Sequence, residues 1–301
     1  MIRFWNVLKN NLTTVKNISA IGIADITGTV ISAIFWLYLA SIMTVEAYGE
    51  IQYYMAIASL ATTISLLGSE SMLRVYLPKG VKIQSTMYSI VLLSSVVTFI
   101  VLFIIQGKIE IIILTTGFIV SSLAIAETLG RKQFKSYSRY FVVQKILFVV
   151  FGILLYNLYG VNGILYGLAI SFIPYTYQIL QGVRDSKIHF LLIRERLAFL
   201  LTNFAYTSAG VARGQVDKLI IAPILGFEVL GNYSFALQIV AVLMIFPNII
   251  YKYTVPVDSS GKSTATVKKA TVLISIVISV SGVIMSPIII SIMSNKKLTS
   301  V

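Results

Sequence analysis

Three ionisable residues, Arg213, Asp217 and Lys218, fall within RGQVDKLIIAPILGFEVLGNYSF at 213–235, a run otherwise composed like a membrane-spanning segment. A charge at mid-bilayer depth costs roughly 2.5–3.5 kcal/mol on insertion scales, so it is kept where it faces a bundle interior or a wet cavity. Arg213 and Asp217 are spaced i, i+4 and share a helical face, whereas Lys218 points about 100° away. The pair can bind each other, or can together meet an anionic or proton-linked substrate; Lys218 can join them or snorkel toward the headgroups. Asp25, in IGIADITGTVIS, is a second intramembrane acid, flanked by Gly22, Thr27, Gly28 and Thr29. Such a small, polar face suits a lumen or close helix packing. We expect the lumen, where a carboxyl group can exchange a proton.

Two more cations are candidates for the rim of such a cavity. Arg74, in GSESMLRVYLPKG, either rims its mouth or is an ordinary loop arginine. Lys145 either lines the cavity or snorkels, and snorkelling is the expectation. Gly163 and Gly167 form a GxxxG, a packing signal and not a chemical one. His189 is the only histidine, cysteine is absent, and no HExxH, GxSxG, P-loop or metal-spaced cluster occurs. We therefore expect no metal, no cofactor and no enzymatic activity. The longest polar connections, 182–197 and 252–268, are too short to fold a catalytic domain.

The elements that must position these residues follow from composition. A mean hydropathy of +0.89 with 57 % hydrophobic and 12 % charged residues excludes a soluble domain, in which about a quarter of residues are charged. The net charge of +13 fits basic loops and anionic lipid headgroups rather than nucleic acid. Continuous apolar runs, rather than alternating ones, predict an all-α integral membrane protein with about nine transmembrane helices of roughly 20 residues each. They are expected at 18–43, 50–69, 85–106, 110–128, 139–158, 162–181, 198–225, 229–251 and 269–293. The segment before them, MIRFWNVLKNNLTTVKN, reads as an uncleaved interfacial helix or a basic tail.

Lysine and arginine placement orients this arrangement. In the N-terminal segment, the connections and the span ends, 18 of these residues fall on the side of the N-terminus and three, Lys108, Lys296 and Lys297, on the other. The positive-inside rule thus predicts a cytoplasmic N-terminus. The second half of the opening stretch, APILGFEVLG at 222–231, matches ASIMTVEAYG at 40–49 at a constant offset of 182 residues. That offset superposes the first, second and third spans on the seventh, eighth and ninth. An even separation of six helices keeps orientation, so a parallel repeat is expected, with a six-helix lobe at 1–184 and an incomplete three-helix lobe at 185–301.

With these residues in view, the chain resembles the oligosaccharide flippases of polysaccharide biosynthesis, in the superfamily that includes multidrug and toxin extrusion carriers and lipid II flippases. The resemblance is carried by TVEAYGEIQYY at 44–54, GSESMLRVYLP at 68–78, YGVNGILYG at 159–167, Arg213, Asp217, and GFEVLGNYSFA at 226–236 with Gly226, Gly231 and Tyr233. It implies two lobes rocking about a central cavity to move a polyprenyl-linked, pyrophosphate-bearing glycan between leaflets of the cytoplasmic membrane, with H+ or Na+ as coupling ion. Family members have at least twelve spans, so the second lobe here is shortened. A drug or cation antiporter on the same scaffold, or a truncated membrane protein that does not transport, are the alternatives. A membrane glycosyltransferase would need a sizeable outer loop, which is lacking.

Overall fold

The structure, a computed structural model, describes residues 2–243, 245–261, 263–265, 267–277 and 280–281, with side chains from residue 17 onward except at 238–246. The expected end of the ninth span at 282–293, Lys262, Lys296 and Lys297 lie outside the described residues. Among those described there are helices and no strands. Among the described residues six helices are long and apolar enough to cross a membrane, or seven if one bent pair is a single span. The protein is an all-helical, multi-pass membrane protein.

The first helix, α1 (Ile2–Ile42), runs without a break through the basic N-terminal segment, so no separate interfacial helix precedes the first span. Helix α2 (Val45–Leu66) starts at Thr44, whose hydroxyl caps the Ala47 N–H. It ends where Leu67 and Gly68 enter left-handed geometry at φ 48° and 80°. The chain then bends by 57° into α3 (Ser69–Tyr76). Gly68 is required twice over, since a Cβ there would also lie 2.6 Å from the carbonyl oxygen of Leu200. Helices α4 (Gln84–Gln106), α5 (Ile109–Gly130) and α6 (Phe134–Tyr159) follow on short turns. The expected sixth span consists of α7 (Val161–Ile170) and α8 (Ile173–Asp185), joined around Ser171 and Phe172. A short α9 (Leu191–Arg194) leads to α10 (Leu197–Leu243) and α11 (Ile245–Ser259).

Helix α10 is 47 residues long. A straight helix of that length would be roughly 70 Å, more than twice a hydrocarbon core. Gly226, at φ 87° and ψ 168°, interrupts it. The Tyr233 hydroxyl donates to Asp217, 16 residues earlier, a separation that a straight helix would make about 24 Å. The two arms, 197–225 and 227–243, therefore fold back on each other at the glycine.

In lipid, apolar transfer gives helices no reason to associate, so close packing must supply one. The outer face of α4 shows Leu92, Leu93, Val97, Ile100 and Ile104, all more than half exposed, as a lipid-facing stripe should be. The inner faces pack tightly. Phe35 and Phe148 meet edge-on with centroids 4.5 Å apart, and Trp36 meets Tyr48 at 5.8 Å, joining α1, α2 and α6. The most extensive interhelical contact is between α2 and α10. There Gly49 lies against the carbonyl of Phe227, and Gly231 against the carbonyl of Val45, so closely that neither position has room for a Cβ.

Candidate functional site

Asp25 is placed by α1 deep in the bundle, 4 % exposed. An ionised carboxylate there needs a cation and further hydrogen bonds to be tolerated. It has both. Lys252, on α11, donates to both carboxylate oxygens at 2.9 and 2.8 Å. Tyr137, on α6, donates to Oδ1 at 2.5 Å. Lys252 Nζ also donates to the Tyr137 hydroxyl oxygen at 2.6 Å, closing the triangle. On one side Ile21, Leu129, Phe134, Ile249 and Tyr253 form an apolar cluster with Tyr137. Three helices distant in sequence thus meet at one buried ion pair.

A second cation stands beside it. Tyr137, Phe141 and Lys145 recur every four residues on α6 and so share a face. The Lys145 ammonium lies 5.3 Å from the Phe141 ring centroid, and Lys252 lies 5.1 Å from the same ring. Gly28 permits this approach of α6 to α1, since a Cβ there would sit 2.5 Å from Phe141 and 3.2 Å from the Lys145 stem. Lys145 therefore packs on the inner face of α6, against the glycine of α1. Arg74 pairs with Glu70 at 2.9 Å on α3, and is near enough to interact electrostatically with Lys252 and Tyr137. Among the described residues, Lys145, Lys252 and Arg74 face two carboxylates, Asp25 and Glu70. The cluster keeps one positive charge in excess.

Arg213 and Asp217 are arranged differently. Asp217 accepts from Tyr233 and, at 2.8 Å, from the backbone N–H of Lys218. Arg213 is exposed and forms no ion pair with Asp217 among the described residues. Lys218 is half-buried on the same arm. The structure does not bring these three into the Asp25 cluster; Asp217 instead fastens the two arms of α10 together.

Beside the seam between α2 and α10 lies a cavity of about 340 Å³. Ser59, Thr62 and Thr63 of α2, Ser121 and Ser122 of α5, and Thr207 and Gln215 of α10 supply its polar lining. Phe118, Leu66 and Val211 supply its apolar wall, and Glu70, held by Arg74, stands at its edge.

Sequence reasoning missed Lys252, which it assigned to a polar connection; the signal was that a mid-membrane Asp25 demands a cationic partner. It also missed Glu127, 4 % exposed inside the expected fourth span. Tyr88 donates to Glu127, Arg131 pairs with it at 2.6 Å, and Arg131 also reaches Asp185 at 2.8 Å. That network ties the ends of α4, α5 and α8. Among the described residues no group of three His, Cys, Asp or Glu side chains could hold a metal ion. Outside the spans, partial burial pushes the Asp258 carboxyl up, but Lys268 and the hydroxyl and N–H of Thr264 outweigh it and hold the carboxyl below its ordinary value. Comparison of the chain with protein-family models, with curated proteins and with solved structures gives no match.

Proposed function

We propose that the protein is a carrier for a lipid-linked glycan, moving a polyprenyl-borne, pyrophosphate-bearing oligosaccharide across the cytoplasmic membrane by alternating access. The observation that carries this reading is the buried Asp25–Tyr137–Lys252 group with its excess cation, at the junction of α1, α6 and α11. A structural ion pair needs one lysine; a second ammonium beside it, with no carboxylate partner of its own among the described residues, suits an anion. A phosphate that displaces Asp25 from Lys252 would loosen α11 from α1 and α6. Binding would then favour one arrangement of the helices over another, as any ligand-driven shift requires. Asp25, once freed, can take up the coupling H+ or meet Na+. An excess of positive charge disfavours the cationic drugs of an antiporter.

In this proposal the chain has about nine spans, with the second formed by α2 and α3 and the seventh and eighth by the arms of α10 continued by α11. The N-terminus is cytoplasmic, in keeping with the basic loops. The units at 1–184 and 185–301 are parallel repeats, the second shortened. The glycine contacts support the repeat. Val45 and Gly49 are each 182 residues before Phe227 and Gly231, and the contacts cross over, Gly49 to Phe227 and Gly231 to Val45. A two-fold axis generates such exchange between equivalent surfaces.

The test is transport by variants in proteoliposomes. Lys145→Met, which breaks no ion pair, is expected to lower the rate of flipping of a fluorescent polyprenyl-pyrophosphoryl oligosaccharide at least tenfold, about the effect of losing one charge-assisted hydrogen bond. An unchanged rate would remove the anion site from the proposal.

A further inference from the structure

The first arm of α10 turns two different faces to its surroundings. Its backbone at Leu200 and Phe204 approaches Gly68, and Val211 and Gln215 border the cavity, so one face belongs to the junction with α2. About 140° round the helix from that face, Tyr206, Gly210, Arg213, Asp217, Ile220 and Ile224 follow one another at alternating steps of four and three residues. Such spacing draws a stripe down a helix, and it is the spacing with which two helices pack side by side. The stripe is uncovered. Tyr206 is 78 %, Ile220 53 % and Ile224 71 % exposed, Gly210 and Arg213 are exposed as well, and a Cβ added at Gly210 would meet nothing within 4 Å. Apolar side chains on this face can rest in lipid. Arg213, near the middle of the arm, needs a counter-charge or water.

Few carboxylates could supply that counter-charge. All 11 Asp and Glu residues of the chain lie among the described residues, and those outside ion pairs with other cations are Glu46, Glu110, Asp217 and Glu228. Glu46 and Glu110 stand in the first turns of α2 and α5, and Glu228 lies beyond the break at Gly226. That leaves Asp217, one turn from Arg213. Within one helix the cation-first order of an i, i+4 pair is the less favourable one, and among the described residues the two form no ion pair. The Asp217 oxygens each accept one hydrogen bond, from the Lys218 N–H and from Tyr233, and keep lone pairs for a guanidinium. We propose that two copies of the protein pair along this stripe, with Arg213 of each binding Asp217 of the partner subunit. Copies share one orientation in the membrane, so the two arms run parallel, and a two-fold axis along the bilayer normal forms both ion pairs at once. Gly210 lets the backbones come close, and the long arginine side chain spans the single turn to the carboxylate. Each copy supplies the counter-charge that the other needs. The pairing is independent of what the protein carries.

The experiment uses the full chain in membranes. Because the chain has no cysteine, Tyr206→Cys and Ile220→Cys each place one thiol on the stripe, and Leu93→Cys places one on the lipid-facing side of α4. Oxidation with copper phenanthroline is expected to join copies through residue 206 or 220 at least about tenfold faster than through residue 93, where copies meet by collision, a margin that the loss of one charge-assisted contact would erase. Charge reversal then separates a pair between copies from a pair within one. Arg213→Asp leaves two acids on each stripe and Asp217→Arg two cations, so each variant alone is expected to self-associate at least about tenfold more weakly in energy transfer between differently labelled copies. Mixed in one membrane, the two variants are expected to associate with each other as the parent does with itself, since acid then faces cation across the contact. Stripe thiols that join no faster than Leu93→Cys, or that join a different protein in place of a second copy, overturn the proposal. A mixture that stays dissociated while both variants keep the parent's helix content overturns it too. Where a reversal variant loses its fold, the thiol comparison decides.

Discussion

Replacing Lys252 by methionine keeps the stem of the side chain and strips its charge. Asp25 would then be left 4 % exposed, with the hydroxyl of Tyr137 as its remaining hydrogen-bond donor. Breaking a buried ion pair from one side costs about 3–5 kcal/mol, chiefly because the abandoned charge stays buried. The same logic predicts that Asp25→Asn in the Lys252→Met background is a partial rescue, recovering about 2–3 kcal/mol, since a pair replaced on both sides is often near neutral. Lys145→Met serves as the control, because no carboxylate hydrogen-bonds Lys145 among the described residues; its loss relieves a like-charge neighbour and is expected to change stability by less than about 1 kcal/mol. Equilibrium unfolding of these three variants and of Asp25→Asn alone in bicelles measures all of these quantities. Single-variant effects that add within about 0.5 kcal/mol in the double variant would show that Asp25 and Lys252 are not energetically coupled, and the reasoning from the ion pair would be refuted.

Three further outcomes are expected. Gly49→Leu and Gly231→Leu should each force α2 from α10, lowering stability by about 1–3 kcal/mol or more, which thermal melts of the purified protein would register; a melt unchanged in both would mean the backbones do not meet as described. The folded Asp258 carboxyl lies below its ordinary value, so its stabilisation is fully present above the unfolded value near about pH 3.9 and is lost as pH falls through the lower folded value. Hydrogen exchange at the Thr264 amide, which donates to Asp258 at 2.9 Å, should therefore be protected at pH 6 and quicken relative to neighbouring amides at pH 3, and Asp258→Asn should remove that pH dependence. Single-cysteine variants can test orientation without background, since the chain has no cysteine: Glu228→Cys is expected to react with an impermeant maleimide from outside intact cells, and labelling only after permeabilisation would invert the topology.

The helical, membrane-embedded character was legible because it depends on local composition, which apolar runs report directly. A break near Gly226 was legible, and the helix is interrupted at that glycine. The bend after α2 was not, because Leu67 adopts a left-handed conformation that its type does not advertise. Asp25 stood out in the sequence since a lone acid in a small, apolar run has few uses. Its partners did not. Lys252 and Tyr137 lie 227 and 112 residues away, and nothing local in a chain records contacts at such distance. Arg213 and Asp217 show the converse limit: their spacing allowed either a mutual pair or a shared cavity face, and Tyr233, brought back by the turn at Gly226, donates to the carboxylate instead. The cavity beside α2 and α10 lay beyond any linear reading, because its lining comes from three helices and part of α3.

Glycan-lipid translocation is most directly tested with the unmodified protein in vesicles carrying a fluorescent polyprenyl-pyrophosphoryl oligosaccharide in both leaflets, with an impermeant lectin added outside. If the protein is a carrier for this class of lipid, lectin-accessible label should rise past the fraction set by the outer leaflet at a rate that scales with protein and that Lys145→Met lowers at least about tenfold. Accessibility fixed at the value of protein-free vesicles would contradict it.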